Sequence, residues 1–278
     1  MALICVLATA GCATTDDDST PPAVPVDTNQ VTTASATRAV CIGLTAVNPD
    51  GYDGWDGDCP GCDVDAKGLN QYFLSGGIPT VLILNESCTV EGVKSTITRQ
   101  AAVLVPGDAL YICTSGHGGQ VEDISGDESD GMDETVCLWD RQWVDDEILE
   151  FLGTLPAGLT VYIITDNCHA EGNFRAMVRT VQRAVSAGRW GRLPVFELDS
   201  RPVEDLAVIQ LAGCREASYS YGSAIGGTWT QTLLEEQRAT WSDWFEAAKA
   251  KMPAKQTPTW VEFGPVTPAD RTRDVLQK

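Results

Sequence analysis

The chain has 278 residues, 43% of them hydrophobic, which suffices for one large domain with a full core or for two small ones. A formal net charge of −20 argues against a nucleic-acid binder, which needs basic patches to offset phosphate. No apolar run approaches the ~20 residues that span a bilayer, and ten cysteines in a chain this long do not make a disulfide scaffold.

The opening MALICVLATAGCATTDDDSTPP reads as a short apolar stretch, then small residues, then an acidic, proline-rich tether. ATAGC, ending at Cys12, resembles the lipobox of bacterial lipoproteins, in which the cysteine is lipidated after cleavage. Two features depart from that pattern: no Lys or Arg precedes the apolar run, and Thr9 stands where Leu is usual. The expected organisation is a signal-peptide-like leader at 1–12, a disordered polar tether at 13–36 and one folded domain at 37–278. The expected location is export, either with attachment to a bacterial membrane through a lipidated Cys12 or in the periplasm. A leader without function would leave the chain cytoplasmic.

Beyond the tether, strand and helix signals alternate. RAVCIGLTA is a strand-like run, followed by a Gly/Asp-rich loop over 48–61 and a helical pattern, DVDAKGLNQYFLSGG, closed by a glycine pair. TVLILN is a strand, and TVEGVKSTITRQAAVLV a helix with Thr89 as candidate cap. DALYICTSG (108–116) is a strand entering a Gly-rich turn. An acidic stretch (122–134), TVCLWD and the helical DDEILEFLGTL follow. GLTVYIITDNC (158–168) and LAVIQLAGC (206–214) are further strands, and helical segments occupy 228–251. Continuous apolar strands alternating with helices predict an α/β fold: a three-layer α/β/α sandwich on a mostly parallel central sheet. Cys41, Cys113, Cys137 and Cys214 fall in or beside apolar runs and read as small core residues. The lone CPGC at Cys59 and Cys62 lacks the second pair a zinc ribbon needs, which leaves a local disulfide or two loop thiols.

In such folds the site forms where strands end at their carboxyl edge. Two strands end there in conspicuous chemistry, YICTSGHGG and YIITDNCHA. A cysteine nucleophile needs a base or imidazolium partner. His169 adjoins Cys168, but neighbours on an extended chain point to opposite sides, so His117 is the better partner. The amides around Gly116, Gly118 and Gly119, with that of Cys168, suit an oxyanion hole. A Cys–His hydrolase follows from this pattern; the alternative is a buried structural thiol and a capping histidine.

YICTSGHGGQVEDISGDESDGMDETVCLWDRQWVDDEI, VYIITDNCHAEG, GCDVDAKGL and LAGCREASYSYG…GGTWTQTLL together resemble the metacaspase branch of the caspase-like cysteine peptidases. The resemblance implies a caspase-like fold, with His117 as general base and acid and Cys168 as nucleophile in acyl transfer to water. Cys168 follows His117 by 51 residues, close to the separation of about 50 found in caspases. The resemblance places the oxyanion hole at the amides of Gly118 and Cys168. It places Asp65, Ser115 and Asp166 around the substrate's P1 side chain, where two carboxylates would select Arg or Lys. Read without it, Asp65 is an acid near a helix N-terminus and Asp166 a turn residue. Asn167 stands where the family has Ser, and AEG replaces Ser-Gly behind Cys168.

The resemblance also raises Ca2+, with Asp133, Asp145 and Asp146 as the matching ligands; the alternatives are a solvated acidic loop and a helix start. No other cofactor is expected. Five arginines (Arg175, Arg179, Arg183, Arg189 and Arg192) suggest self-cleavage within 173–195, or simply a basic helix facing solvent. The expected partners are peptides or proteins with Arg or Lys at P1. The competing readings are a catalytically inactive caspase-like binding module, and a Cys–His peptidase of the same fold with another P1 choice.

Overall fold

The computed structural model describes residues 36–122, 131–167, 205–213 and 221–277. The leader at 1–12, nearly all of the tether, the acids at 123–130, the arginine segment at 173–195, and Cys168, His169 and Cys214 lie outside the described residues.

Six strands form the central sheet in the order β11-β8-β7-β3-β1-β2. These are β1 (Thr37–Gly43), β2 (Thr80–Leu84), β3 (Ala109–Gly116), β7 (Thr160–Asn167), β8 (Ala207–Ala212) and β11 (Thr259–Phe263). All neighbours run parallel except β11, which pairs antiparallel with β8 and closes one edge. Every residue of β7 and β8 is buried, as strands covered on both faces should be.

The two-residue period of the strands divides the core into two layers. Val40, Ile42, Leu110, Ile112, Val161 and Ile163 point to one face. There they meet Val93 and Ile97 of α2 (Val90–Ala101) and Ile148, Phe151 and Leu152 of α3 (Asp145–Leu152). Ala39, Cys41, Tyr111, Cys113, Tyr162 and Ile164 point to the other. This layer holds α1 (Cys62–Ser75), α4 (Thr228–Glu235) and α5 (Trp241–Lys249). The result is the expected α/β/α sandwich with a mostly parallel central sheet.

The second layer is rich in aromatic rings. Trp241 stacks on Tyr162, with centroids 4.4 Å apart and planes at 11°, and meets Tyr111 edge-on at 4.8 Å. Such pairs contribute about 0.5–1.5 kcal/mol beyond the area they bury. Their polar ends are satisfied: Tyr111 Oη donates to the Val275 carbonyl at 3.0 Å, and Tyr162 Oη to the Asp270 carbonyl at 2.5 Å. Asp270 lies in the short α6 (Pro268–Arg271), whose Thr267 and Asp270 form a reciprocal capping box.

Three elements differ from the sequence reading. α2 stops at Ala101 instead of continuing through Val105. Pro106 disfavours helix at the residue before it, and the Asp108 carboxylate accepts from the Val105 amide at 2.8 Å. The acidic stretch flanks an antiparallel sheet, β4 (Gly118–Glu122), β5 (Met132–Cys137) and β6 (Gln142–Val144). A two-residue pair, β9 (Gly222–Ser223) and β10 (Gly226–Gly227), precedes α4. Cys41, Cys113 and Cys137 are buried free thiols, as expected for core residues, and Cys88 joins them. Cys59 and Cys62 form a disulfide, which decides between the two readings of CPGC.

Candidate active site

β3 and β7 are adjacent parallel strands, in register through Thr114 with Thr165, Ser115 with Asp166 and Gly116 with Asn167. The residue after Gly116 is His117, and the residue after Asn167 is Cys168, which lies outside the described residues. The sheet thus brings the ends of β3 and β7, at Gly116 and Asn167, to the same edge at the same level.

His117 is 6% exposed and held from the loop that leads into α1. Its Nε2 lies 3.3 Å from the Asp58 carbonyl oxygen. The Trp55 ring packs against the imidazole at a centroid distance of 4.9 Å. A carbonyl can only accept, so this contact selects the tautomer with the proton on Nε2 and the lone pair on Nδ1. A neutral imidazole in that form is equipped to take a proton at Nδ1. The main-chain carbonyl does here what a carboxylate does in a Ser-His-Asp triad: it orients the ring.

The backbone of His117 is fixed as well, its carbonyl accepting from the Cys137 amide at 2.9 Å. Antiparallel ladders alternate between hydrogen-bonded and non-bonded pairs. His117 opposite Cys137 is a bonded pair, so Gly118 opposite Val136 is not, and the Gly118 N–H points away from β5. Gly119, opposite Thr135, falls on a bonded level again. Of the three glycines read as open amide donors, Gly118 therefore has the right direction; the ladder takes Gly119, and Gly116 lies within β3 beside Asn167.

One level below, Asp65, Ser115 and Asp166 come together. Asp65 and Asp166 have no exposed surface, and Ser115 is 3% exposed. Ser115 Oγ donates to Asp65 Oδ2 at 2.8 Å. The Gly227 amide donates to both Asp65 oxygens at 3.0 and 2.8 Å, and Gln231 Nε2 donates to Oδ1 at 2.9 Å. The Thr230 amide donates to Asp166 Oδ2 at 2.8 Å. These donors to Asp65 are all neutral and bring no counter-charge. Burial first, and then the neighbouring Asp166 carboxylate, push the Asp65 pKa up to about 7. Asp65 is in the first turns of α1, yet it serves the interior rather than the helix end, and Asp166 belongs to a buried strand rather than a turn.

Sequence reasoning missed Gln231, Thr230, Gly226 and Gly227. The glycines matter for want of a side chain. A Cβ on Gly227 would collide with the Asp166 carboxylate, and one on Gly226, at φ +123°, with Asp65 Oδ1 and Gln231 Nε2. Gly227→Ala is expected to cost about 1–3 kcal/mol through overpacking and to part the two carboxylates. Thermal denaturation, with turnover of cationic against neutral peptides, measures both effects.

The residues the resemblance offers for calcium lie on β5 (Asp133) and at the start of α3 (Asp145 and Asp146). Asp133 is buried in β5, and Asp145 opens α3 with its Oδ1 accepting from the Asp146 amide at 2.9 Å. Among the described residues, no three His, Cys, Asp or Glu side chains converge as a metal cage. No step below runs through a cation.

Residues 37–175 match the family described as metacaspase, peptidase C14 domain. Metacaspase-1 of Schizosaccharomyces pombe is 46% identical over 150 residues, covering 49% of this chain and 34% of that protein. Metacaspase-1 of Coccidioides immitis is 34% identical over 148 residues, covering 48% and 31%. The chain thus spans about a third of the length of the curated relatives it matches. Among solved structures, the crystal structure of a Geobacter sulfurreducens protein superposes with a TM-score of 0.71 at 27% identity. That match covers 87% of this chain and 98% of the other.

Proposed function

The chain belongs to the metacaspase family of C14 cysteine-type peptidases, and from that premise we propose that it is an endopeptidase cleaving after Arg or Lys through Cys168 and His117. The carrying observation is the buried acid pair: Asp166 of β7, in register with Ser115 of β3 two residues before His117, and Asp65 of α1, whose Oδ2 accepts from Ser115 Oγ. The resemblance places both carboxylates around P1, where a cationic Arg or Lys side chain is the favoured occupant.

The chemistry follows from the placement. Nδ1 of His117 takes the thiol proton of Cys168, and the thiolate adds to the scissile carbonyl. The Gly118 N–H, with that of Cys168, stabilises the oxyanion. The tetrahedral intermediate collapses as His117 returns the proton to the leaving amine. Water, deprotonated by the same imidazole, then releases the acyl group and regenerates the thiol. The Cys59–Cys62 disulfide supports an exported location, since such bonds persist in oxidising compartments.

A fluorogenic peptide panel tests the reading. Peptides ending in Arg and Lys are expected to turn over, those ending in Gln or Asp are not, and iodoacetamide should abolish the activity. Thiol-dependent turnover of the Asp peptides alone would overturn the P1 assignment. No thiol-dependent turnover of any peptide would favour the inactive binding module.

A further inference from the structure

The loop between β1 and α1 touches both halves of the candidate site. It contributes Trp55 and the Asp58 carbonyl to His117. It ends where α1 begins, at Cys62, one turn before Asp65. Gly61 forms the corner between them with φ at 97°, and its Cα lies so close to Ser223 and Gly226 that any side chain would collide with their backbone. Gly226 leads into the Gly227 amide that holds Asp65.

This segment is otherwise a poor candidate for a rigid part. It carries Gly51, Gly54, Gly57 and Gly61, and glycine has the most backbone freedom to lose. Its far end is tied by Tyr52 Oη to the Leu138 carbonyl at 2.6 Å and by the Val47 amide to the Asp56 carbonyl at 2.8 Å. Its near end is tied by the Cys59 amide, which donates to the Thr45 carbonyl at 2.9 Å, and by the Cys59–Cys62 disulfide, both residues of which are buried, at 3% and 2% exposure. The crosslink joins the residue after Asp58 to the first residue of the helix that carries Asp65.

We propose that the Cys59–Cys62 disulfide is a positioning element that fixes the His117 orienting carbonyl and the Asp65 carboxylate as one piece, so that base and cation subsite are set together. The inference rests on the peptidase reading above. Opening the bond leaves the Asp58–Cys59 peptide held only by the Cys59 amide's hydrogen bond to Thr45, and loosens the start of α1 under Asp65. Displacements of about 1 Å at such positions cost on the order of 100-fold in rate.

The test compares wild type with the double variant Cys59→Ser/Cys62→Ser. Both are kept in a mild monothiol reductant, with the wild-type crosslink verified by intact mass. The variant is expected to lose about 10- to 100-fold in kcat/KM on Arg-ending peptides. Its preference for Arg over Gln at P1 should shrink, and the pH profile of Cys168 alkylation by iodoacetamide should move toward that of a free thiol. A staple that only stabilises the fold lowers Tm but leaves P1 preference and alkylation profile unchanged, and that result overturns the proposal. If the variant does not fold, wild type treated with dithiothreitol replaces it. One dithiol is oxidised to its cyclic disulfide as Cys59 and Cys62 become thiols, a gain of two hydrogens, and the same readouts decide. Wild type without thiol-dependent turnover overturns the peptidase reading and this proposal with it. An active wild type with an indistinguishable variant overturns this proposal alone.

Discussion

Asp166→Asn is expected to lower kcat/KM on Arg-ending peptides by roughly 100- to 4,000-fold while leaving the rate of Cys168 alkylation by iodoacetamide near wild type. The size follows from removing one partner of a buried charge pair, which costs about 3–5 kcal/mol, with each 1.4 kcal/mol worth a factor of ten. The substitution keeps shape, and the amide oxygen can still accept from Thr230, so folding is preserved. Alkylation reads the base and the thiol alone, so it separates a lost subsite from a lost nucleophile.

The same variant carries a pH signature. The Asp65 pKa is raised from 3.8 to about 7, by burial first and by Asp166 second. Between those values the folded state holds a proton that the unfolded chain has released, so this group makes stability fall as pH rises across that window. Cation binding has the opposite slope: the Arg side chain meets a second carboxylate charge only as Asp65 ionises. Wild-type kcat/KM on Arg peptides should therefore climb through about pH 7. In Asp166→Asn the repulsion is gone, and the climb should move to lower pH. Should the Arg profile prove identical in the two proteins, Asp65 and Asp166 do not share the P1 site.

How much of this was legible beforehand depends on what each feature is made of. The parallel core was legible because strands buried on both faces are nearly continuous in apolar residues, as VYII in β7 is and AVIQLA in β8 is but for Gln210. β11 was not, because an edge strand half open to solvent, TWVEF, has no such run. β4, β5 and β6 were obscured because their residues lie among acids that set a loop-like composition. His117 and Asp166 were legible as side chains at strand ends and Asp65 as an acid near a helix start, although the roles proposed for them came from the family resemblance. Their register, Ser115 beside Asp166, required the sheet. The parts that went unread act through the backbone: the Asp58 carbonyl, the Gly227 amide and the missing Cβ atoms at Gly226 and Gly227. Residue type says nothing about a carbonyl, and a glycine pair reads as a turn until the carboxylates it admits are seen.

His117→Ala is expected to reduce kcat on every peptide by roughly 10²–10⁴-fold, the usual contribution of a general acid–base group, with the Arg-over-Gln preference retained. The logic is that of two separate modules on neighbouring levels of one sheet. His117 is reached from the Asp58 loop and the β4–β5 ladder, whereas Asp65 and Asp166 are reached from Ser115, Gly227 and Thr230. Removing the imidazole leaves every donor to the acids in place, so peptide binding persists while thiolate formation fails. Alkylation of Cys168 should then titrate near pH 8.5, the ordinary thiol value, instead of showing base assistance. Added imidazole should recover part of kcat, since the space vacated between Trp55 and the Asp58 carbonyl matches the ring that was lost. A His117→Ala protein that keeps wild-type kcat would remove the imidazole from the mechanism. One that loses P1 preference along with kcat would show that the imidazole itself helps to hold the acid pair.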